Sequence, residues 1–389
     1  MTTTSTAGTS ASPHRTLAPA PDTGARTVTA LLATIAGLCT IGLAMVMSAS
    51  SVNALHKFGS SWYFTFRQAV AVVIGSLALW ILSRIDYHVW RRWALPVLGV
   101  ATVLLLAVLI PGIGQVAYGA RRWIGVGPIQ FQPSEIAKLA VILFAADVLS
   151  RHPPQRDGTG PIKLVLVAVG GLATLVMLQP DMGTTIVVVA VAATVLLLGG
   201  TPLPLFATMS GALAAIGTMV AVFEPYRRAR LMSFIDPFST GQPGYQVAQS
   251  FVGLGSGGFT GLGLGASRAK WGFLPNAHTD FIFAIIGEEL GMIGALCVVG
   301  MFTTLGVFGL VAVRRAPDAF GALIAGGVTA WLVGQAALNM ATVVGALPVT
   351  GVPLPFVSLG GTSTVICMAA AGLLVNVARQ GEPAARPDP

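Results

Sequence analysis

The sequence predicts an all-α polytopic membrane protein of ten transmembrane helices, with one long extracytoplasmic loop between helices seven and eight. Three observations predict it. Only 9% of the 389 residues are charged and 54% are hydrophobic, with a mean hydropathy of +0.80, whereas a soluble domain is roughly 25% charged. The apolar residues fall into runs of about 17 to 25, the length that crosses a bilayer as a helix. Lys and Arg concentrate in alternate short loops, as they do when those loops face the cytoplasm.

The elements follow in order. Residues 1–27, rich in Ser, Thr, Ala and Pro, bury too little apolar surface to offset ordering entropy and are expected to form a disordered cytoplasmic tail. A cleaved signal peptide ending at "MSAS" is the rival reading, but the leader is too long and the apolar run too wide. Spans are predicted at 28–47, 62–83, 93–111, 133–150, 162–178, 184–200 and 204–223. The long loop occupies 224–279, spans 280–313, 320–345 and 356–378 follow, and 379–389 forms a cytoplasmic tail. Cys39, Cys297 and Cys367 each fall inside a span without metal-ligand spacing and read as packing residues.

An inside N-terminus places Arg84, Arg91, Arg92, Arg151, Arg314, Arg315 and the tail arginines in the cytoplasm, together with Arg156 and Lys163. Outside remain Lys57, then Arg121 and Arg122 in "YGARRWIGVGPIQFQPSE", then Arg227, Arg228, Arg230, Arg268 and Lys270 in the long loop. Arg67 and Lys138 sit within spans. Long-loop charges can be plain solvated surface. Arg clusters pinned at a membrane surface also suit bidentate contacts to a phosphate-bearing lipid. Nucleic acid is set aside despite a pI near 9.9, because the basic loops lie against a bilayer with few interleaved aromatics.

Carboxylates in the apolar body carry the chemistry or are paired. "QPSEIAKLA" puts Pro133 and Glu135 in a first helical turn, where both are favoured, with Lys138 one turn on and able to pair with Glu135. Asp280 lies where the long loop meets span eight. On a helix Glu288 would sit about 12 Å further along and turned by about 80°, so the two do not form a carboxylate pair. A lone carboxylate beside a basic cluster suits a general base acting while cations hold a phosphate leaving group. Glu288 and Glu289 read as helix-packing or polar-pathway residues. "GLGSGG" at 253–258 fits G-x-G-x-x-G but follows no strand, and is expected to be a flexible, close-packing loop. His278 has no second ligand nearby and is not expected to bind a metal. "ALPVTGVPLPFVSLGGTS", 346–363, is broken backbone at membrane depth, which survives only against protein or a water-filled cavity, and so predicts a cavity wall.

Taken together, "GARRWI", "FQPSEIAK", "LQPDMGTT", "GYQVAQS", "LPNAHTDFIFAIIGEELG" and "LPVTGVPLPFVSLGGTS" resemble, in order, the signature stretches of the SEDS family (shape, elongation, division and sporulation), which includes FtsW and RodA. The resemblance covers residues 28–378 and leans toward the FtsW pattern. It implies a peptidoglycan glycosyltransferase polymerising lipid II at the outer face of the bacterial cytoplasmic membrane, serving septal wall synthesis, with both termini cytoplasmic. It implies a class B penicillin-binding protein (transpeptidase) as partner, alongside other division proteins and membrane lipids, and no nucleic acid.

The family's essential acidic residue maps onto Asp280. Its outer-loop arginine maps onto Arg121 or Arg122, and its Gln-Pro-Ser-Glu and Lys onto Gln132, Ser134, Glu135 and Lys138. Lys270, His278 and Ser358 complete the candidate substrate-binding set. At Ser358 the chain departs from the family, with Leu359 before Gly360 and Gly361 where an aromatic often stands. No organic cofactor is implied, and a divalent cation, Mg or Mn, can enter bound to the substrate pyrophosphate. The rival functions are a lipid II flippase, a RodA-type elongation polymerase and a silent scaffold for division proteins.

Overall fold

In a computed structural model, residues 23–117, 120–126, 129–154, 158–212 and 242–381 are described, with the single positions 228, 232, 234 and 236. Helix α1, Thr23–Phe58, is 36 residues long, about 54 Å at 1.5 Å per residue, against a hydrocarbon core of about 30 Å. It therefore overruns the expected span 28–47 at both ends. Residues 23–27, expected in the tail, are helical, and the last turns carry His56 and Lys57 clear of the membrane. Helices α2, Tyr63–Arg84, and α3, Val89–Leu109, follow. Between α3 and α4 stands an element the sequence reading lacked: three antiparallel strands, β1 Gly114–Ala117, β2 Ala120–Val126 and β3 Ile129–Phe131. Gly114 pairs with Ile124, and Ile124 with Phe131.

Helix α4, Pro133–Arg151, begins at the predicted proline. Helices α5, Gly160–Leu178, and α6, Met182–Leu198, are capped by loop residues, with Asp181 accepting from Thr184 N at the start of α6. The seventh expected span is described only as α7, Leu203–Ala212; its remainder lies outside the described residues, as do Arg227 and Arg230. The expected loop 224–279 holds a helix, α8, Gln242–Gly257, and a 3-10 turn, Ala269–Trp271. Helix α9, Ile282–Arg315, is broken at Gly291, whose φ is 67°. A side chain there would meet Gly261 N at 2.4 Å. The predicted eighth span is thus a short half-helix, 282–290, followed by a membrane-length one. Helices α10, Ala319–Val343, and α11, Gly361–Gln380, close the chain around the irregular segment 344–360, broken as its prolines and glycines predict.

Seven of these helices are long and apolar enough to cross a membrane. The expected spans at α4 and α6 are not among them, α6 being shorter at 17 residues and α4 more polar, and the seventh expected span is described only in part. Buried fractions sort centre from rim: 83% of the apolar window of α11 and 67% of that of α10 is buried, against 22% for α2 and α3. Helix α4 is enclosed too, and that enclosure lets it carry Glu135 and Lys138. At the C-terminal end of α4, Asp147 pairs with Arg91 and Arg151.

Candidate functional site

A cavity of about 590 Å³ opens where the outer end of α1, the start of α2, the strands, residues 270–279 and the turn before α11 meet. Asn53, His56 and Lys57 enter from the overrun of α1, Phe64 and Arg67 from α2, Trp123 and Gln130 from β2 and β3, and Lys270 and His278 from the loop. No carboxylate among the described residues lines it. Among the described residues, ion pairs form at Glu135–Lys138, at Asp147 and in the Asp86–His88–Asp318 group, and none involves Lys57, Arg67 or Lys270. Arg67 leans over the Tyr63 ring, and Lys270 donates to Gly265 O. A concave wall of cations without carboxylate partners is suited to a multiply charged anion.

Asp280, half-buried in the turn before α9, directly follows the cavity-lining Thr279 in the chain and is not itself among the lining residues. That turn is locally built. Asn276 takes the left-handed conformation that Asn tolerates, and its carbonyl accepts from Thr279 N (3.1 Å) and Phe281 N (3.3 Å). His278 packs on the Phe64 ring at 5.1 Å between centroids. Burial, with Lys57 nearby, pushes its pKa down from 6.5 to about 4, so it is neutral at pH 7.

Ser358, Gln132, Ser134, Glu135 and Lys138 are not among the residues that line the cavity. Ser358 is 2% exposed; its Oγ donates to Thr279 O (2.6 Å) and accepts from Leu354 N (2.8 Å), leaving it a staple between two backbone segments. Gln132 donates to Asp181 (3.3 Å). Lys138 and Glu135 are 1% and 2% exposed and joined at 2.9 Å. Lys138 also donates to Gln335 Oε1 (2.8 Å) and lies over the Trp331 ring at 4.8 Å. Ser134 is buried beside them, its Oγ without a described partner. These four sit behind the cavity wall, and none lines it.

On β2 the alternation is interrupted by a bulge: Trp123 pairs with Gln115 and Arg121 with the next residue, Val116, so Arg121 does not share the face of the cavity-lining Trp123. Arg122 donates to Gln179 O (3.2 Å) and Pro180 O. Glu288 and Glu289 act in packing. Glu288 accepts from Ser267 Oγ (2.5 Å) and Arg268 N (2.8 Å), and Glu289 from Ser48 Oγ (2.6 Å) and Ser267 N (3.2 Å).

Sequence reasoning missed Asn339, Gln335 and Gln68. Gln68, fully buried, donates to Ser358 O and Thr364 Oγ1 (both 3.2 Å) and accepts from Gly360 N. Their signal, had it been weighed, is a polar amide in an otherwise apolar span. The site as a whole presents a base candidate at the edge of a cationic cavity, an arrangement able to deprotonate a hydroxyl while charge develops on a departing phosphate. It does not fit a protein-built divalent site, since the described residues hold no group of three His, Cys, Asp or Glu suited to a metal.

Comparisons with known proteins agree with one another. The family model for FtsW, RodA and SpoVE, described as cell cycle protein, matches residues 29–382. The chain is 39% identical over 346 residues to the probable peptidoglycan glycosyltransferase FtsW of Geobacter sp. (strain M18), covering 87% of this chain and 93% of that one. It is equally identical, 39% over 348 residues, to stage V sporulation protein E of Bacillus subtilis (strain 168), covering 88% and 94%. Among solved structures, it is similar to a chain from a work on structural coordination of polymerization and crosslinking by a peptidoglycan synthase complex. The TM-score is 0.75 and the identity 27%, over 90% of this chain and 97% of that one. The rod shape determining protein RodA of Thermus thermophilus gives a TM-score of 0.68 at 25% identity, over 91% and 97%.

Proposed function

The chain belongs to the FtsW, RodA and SpoVE family of cell cycle proteins, and on that premise we propose that it is a peptidoglycan glycosyltransferase polymerising lipid II at the outer face of the cytoplasmic membrane. The observation that carries the reading is the cavity with Lys57, Arg67 and Lys270 on its wall, none in an ion pair among the described residues, and the chain of its lining residue Thr279 leading directly into Asp280. Asp280 takes the proton from the acceptor sugar hydroxyl. The freed oxygen attacks the donor's anomeric carbon, the bond from that carbon to the pyrophosphate oxygen breaks, and undecaprenyl pyrophosphate leaves with the bonding pair. The three cations stabilise the charge gathering on that pyrophosphate. Neutral His278 adds a hydrogen-bonding edge without adding charge. A divalent cation carried on the pyrophosphate would add to the same charge stabilisation, and no step here is routed through it.

A septal role, with a class B penicillin-binding protein and other division proteins as partners, is favoured by the relatives named FtsW and stage V sporulation protein E. A related chain coming from a complex that coordinates polymerization with crosslinking supports the transpeptidase partner. The charge asymmetry of the short loops supports a cytoplasmic position for both termini. The test is purified protein in detergent with lipid II alone. Glycan chains on a gel are the expected result, since polymerisation needs no membrane. A folded protein that binds lipid II and yields no glycan would contradict the reading and leave the flippase.

A further inference from the structure

We propose that Asn339 is a positioning residue for the reaction, holding the Asp280 turn against the cavity. The proposal rests on the reading of Asp280 as the base. Three consecutive carbonyls, of His278, Thr279 and Asp280, are each taken by a donor from the distant C-terminal part of the chain. Leu359 N donates to His278 O (3.0 Å), Ser358 Oγ to Thr279 O (2.6 Å) and Asn339 Nδ2 to Asp280 O (2.7 Å). Asn339 stands on α10, is 2% exposed, and gives its amide also to Val352 O at 2.7 Å. With carbonyls as both partners, the amide can present only its nitrogen, which fixes its orientation.

Asn339 belongs to a polar row on α10. Gln335, one turn earlier, donates to Pro353 O (2.9 Å), and Thr342 to Pro348 O (3.3 Å). The row satisfies backbone that cannot hydrogen-bond to itself at membrane depth. Within that row, it is Asn339 whose amide donates to the carbonyl of residue 280. The amide thereby locks the irregular wall and the reacting carboxylate into one body. A carboxylate aimed in this way needs no reordering when the acceptor hydroxyl arrives, and misplacement by about 1 Å can lower a rate by about 10².

The experiment compares Asn339→Ala with Thr342→Val, which loosens the same wall without touching residues 278–280. Turnover is measured per folded molecule, lipid II binding separately, and amide exchange across 276–284 by hydrogen–deuterium exchange. Asn339→Ala is expected to lower kcat by about 10 to 100-fold while lipid II affinity stays within about two-fold, with faster exchange confined to the 279–284 amides. Thr342→Val is expected to keep kcat within about two-fold. Asn339→Ser, whose hydroxyl can still donate to one carbonyl, should recover part of the loss.

Unchanged kcat in Asn339→Ala, or an equal fall in Thr342→Val, overturns the proposal, as does a failure of both residue-339 variants to fold. Asp280→Asn, run alongside, separates the two ideas. Near wild-type turnover there refutes the base assignment. An inactive Asp280→Asn beside a fully active Asn339→Ala refutes only the positioning role.

Discussion

Arg121 and Arg122 are adjacent and equivalent by composition, yet the strand that carries them assigns them different tasks. Arg121 stays exposed, whereas Arg122 is engaged with the carbonyls of Gln179 and Pro180. Arg121→Ala is therefore expected to raise the apparent KM for lipid II several-fold without lowering thermal stability, because an exposed charge contributes little to folding. Arg122→Ala is expected to lower the melting temperature, having stripped a charged donor from two carbonyls; kinetics and thermal unfolding of the two single variants check this. His278 supplies a pH signature. Its pKa in the fold, about 4, lies below the ordinary 6.5, so its contribution is full above pH 6.5 and is lost as pH falls toward 4, where the unfolded chain binds the extra proton. His278→Gln should flatten that acid limb in thermal unfolding measured between pH 4 and 7.

The elements show which features local sequence can carry. Proline at the start of α4 and the pairing of Glu135 with Lys138 were legible because both follow from spacing within one turn. The strands were not, since their alternation is short and lies between spans in a segment that reads as loop. The full length of α1 was not legible either, because its last turns are polar enough to resemble a loop. They are helical because α1 continues as a rod against the turn Ala269–Trp271, with Ser48 bound to Glu289. The break in α9 is set by tertiary contact. Gly291 admits the backbone of 259–261 where any side chain would overlap it.

Gly291→Ala is expected to destabilise by at least about 1–3 kcal/mol, from the left-handed conformation alone. Gly255→Ala, in α8 with nothing within 4 Å of the added carbon, is expected to be neutral or to stabilise by up to about 1 kcal/mol. Chemical denaturation in detergent compares them. Equal effects would mean that the break is not required.

For the whole molecule, the site is assembled from stretches far apart in the chain, and that decides how much of it the sequence could reveal. Asp280, Lys270 and His278 stood out as charged or titratable residues in an apolar protein. Asn339, Gln68 and Gln335 are neutral amides whose partners lie in other stretches of the chain, so composition gave them no weight. The cavity and irregular wall stand at one end of the helices, and Asp147 with its arginines at the other; which of these ends faces outward is decided by a labelling experiment. A cysteine probe for this cannot replace Gly257, where its Cβ would meet Gly287 O at 1.9 Å. Leu264, 67% exposed in the same loop, is suitable. Leu264→Cys should label with an impermeant thiol reagent on intact spheroplasts, and labelling only after lysis would invert the topology.

The central claim, that Asp280 is the base at the edge of a pyrophosphate-binding cavity, is tested most directly by one comparison. Polymerisation of lipid II by purified Asp280→Asn protein is measured beside its affinity for lipid II. The substitution keeps the size of the side chain and removes its ability to take a proton, so glycan formation is expected to fall by about 10²-fold or more with binding retained. A folded Asp280→Asn protein that polymerises lipid II at near wild-type rate would contradict the account.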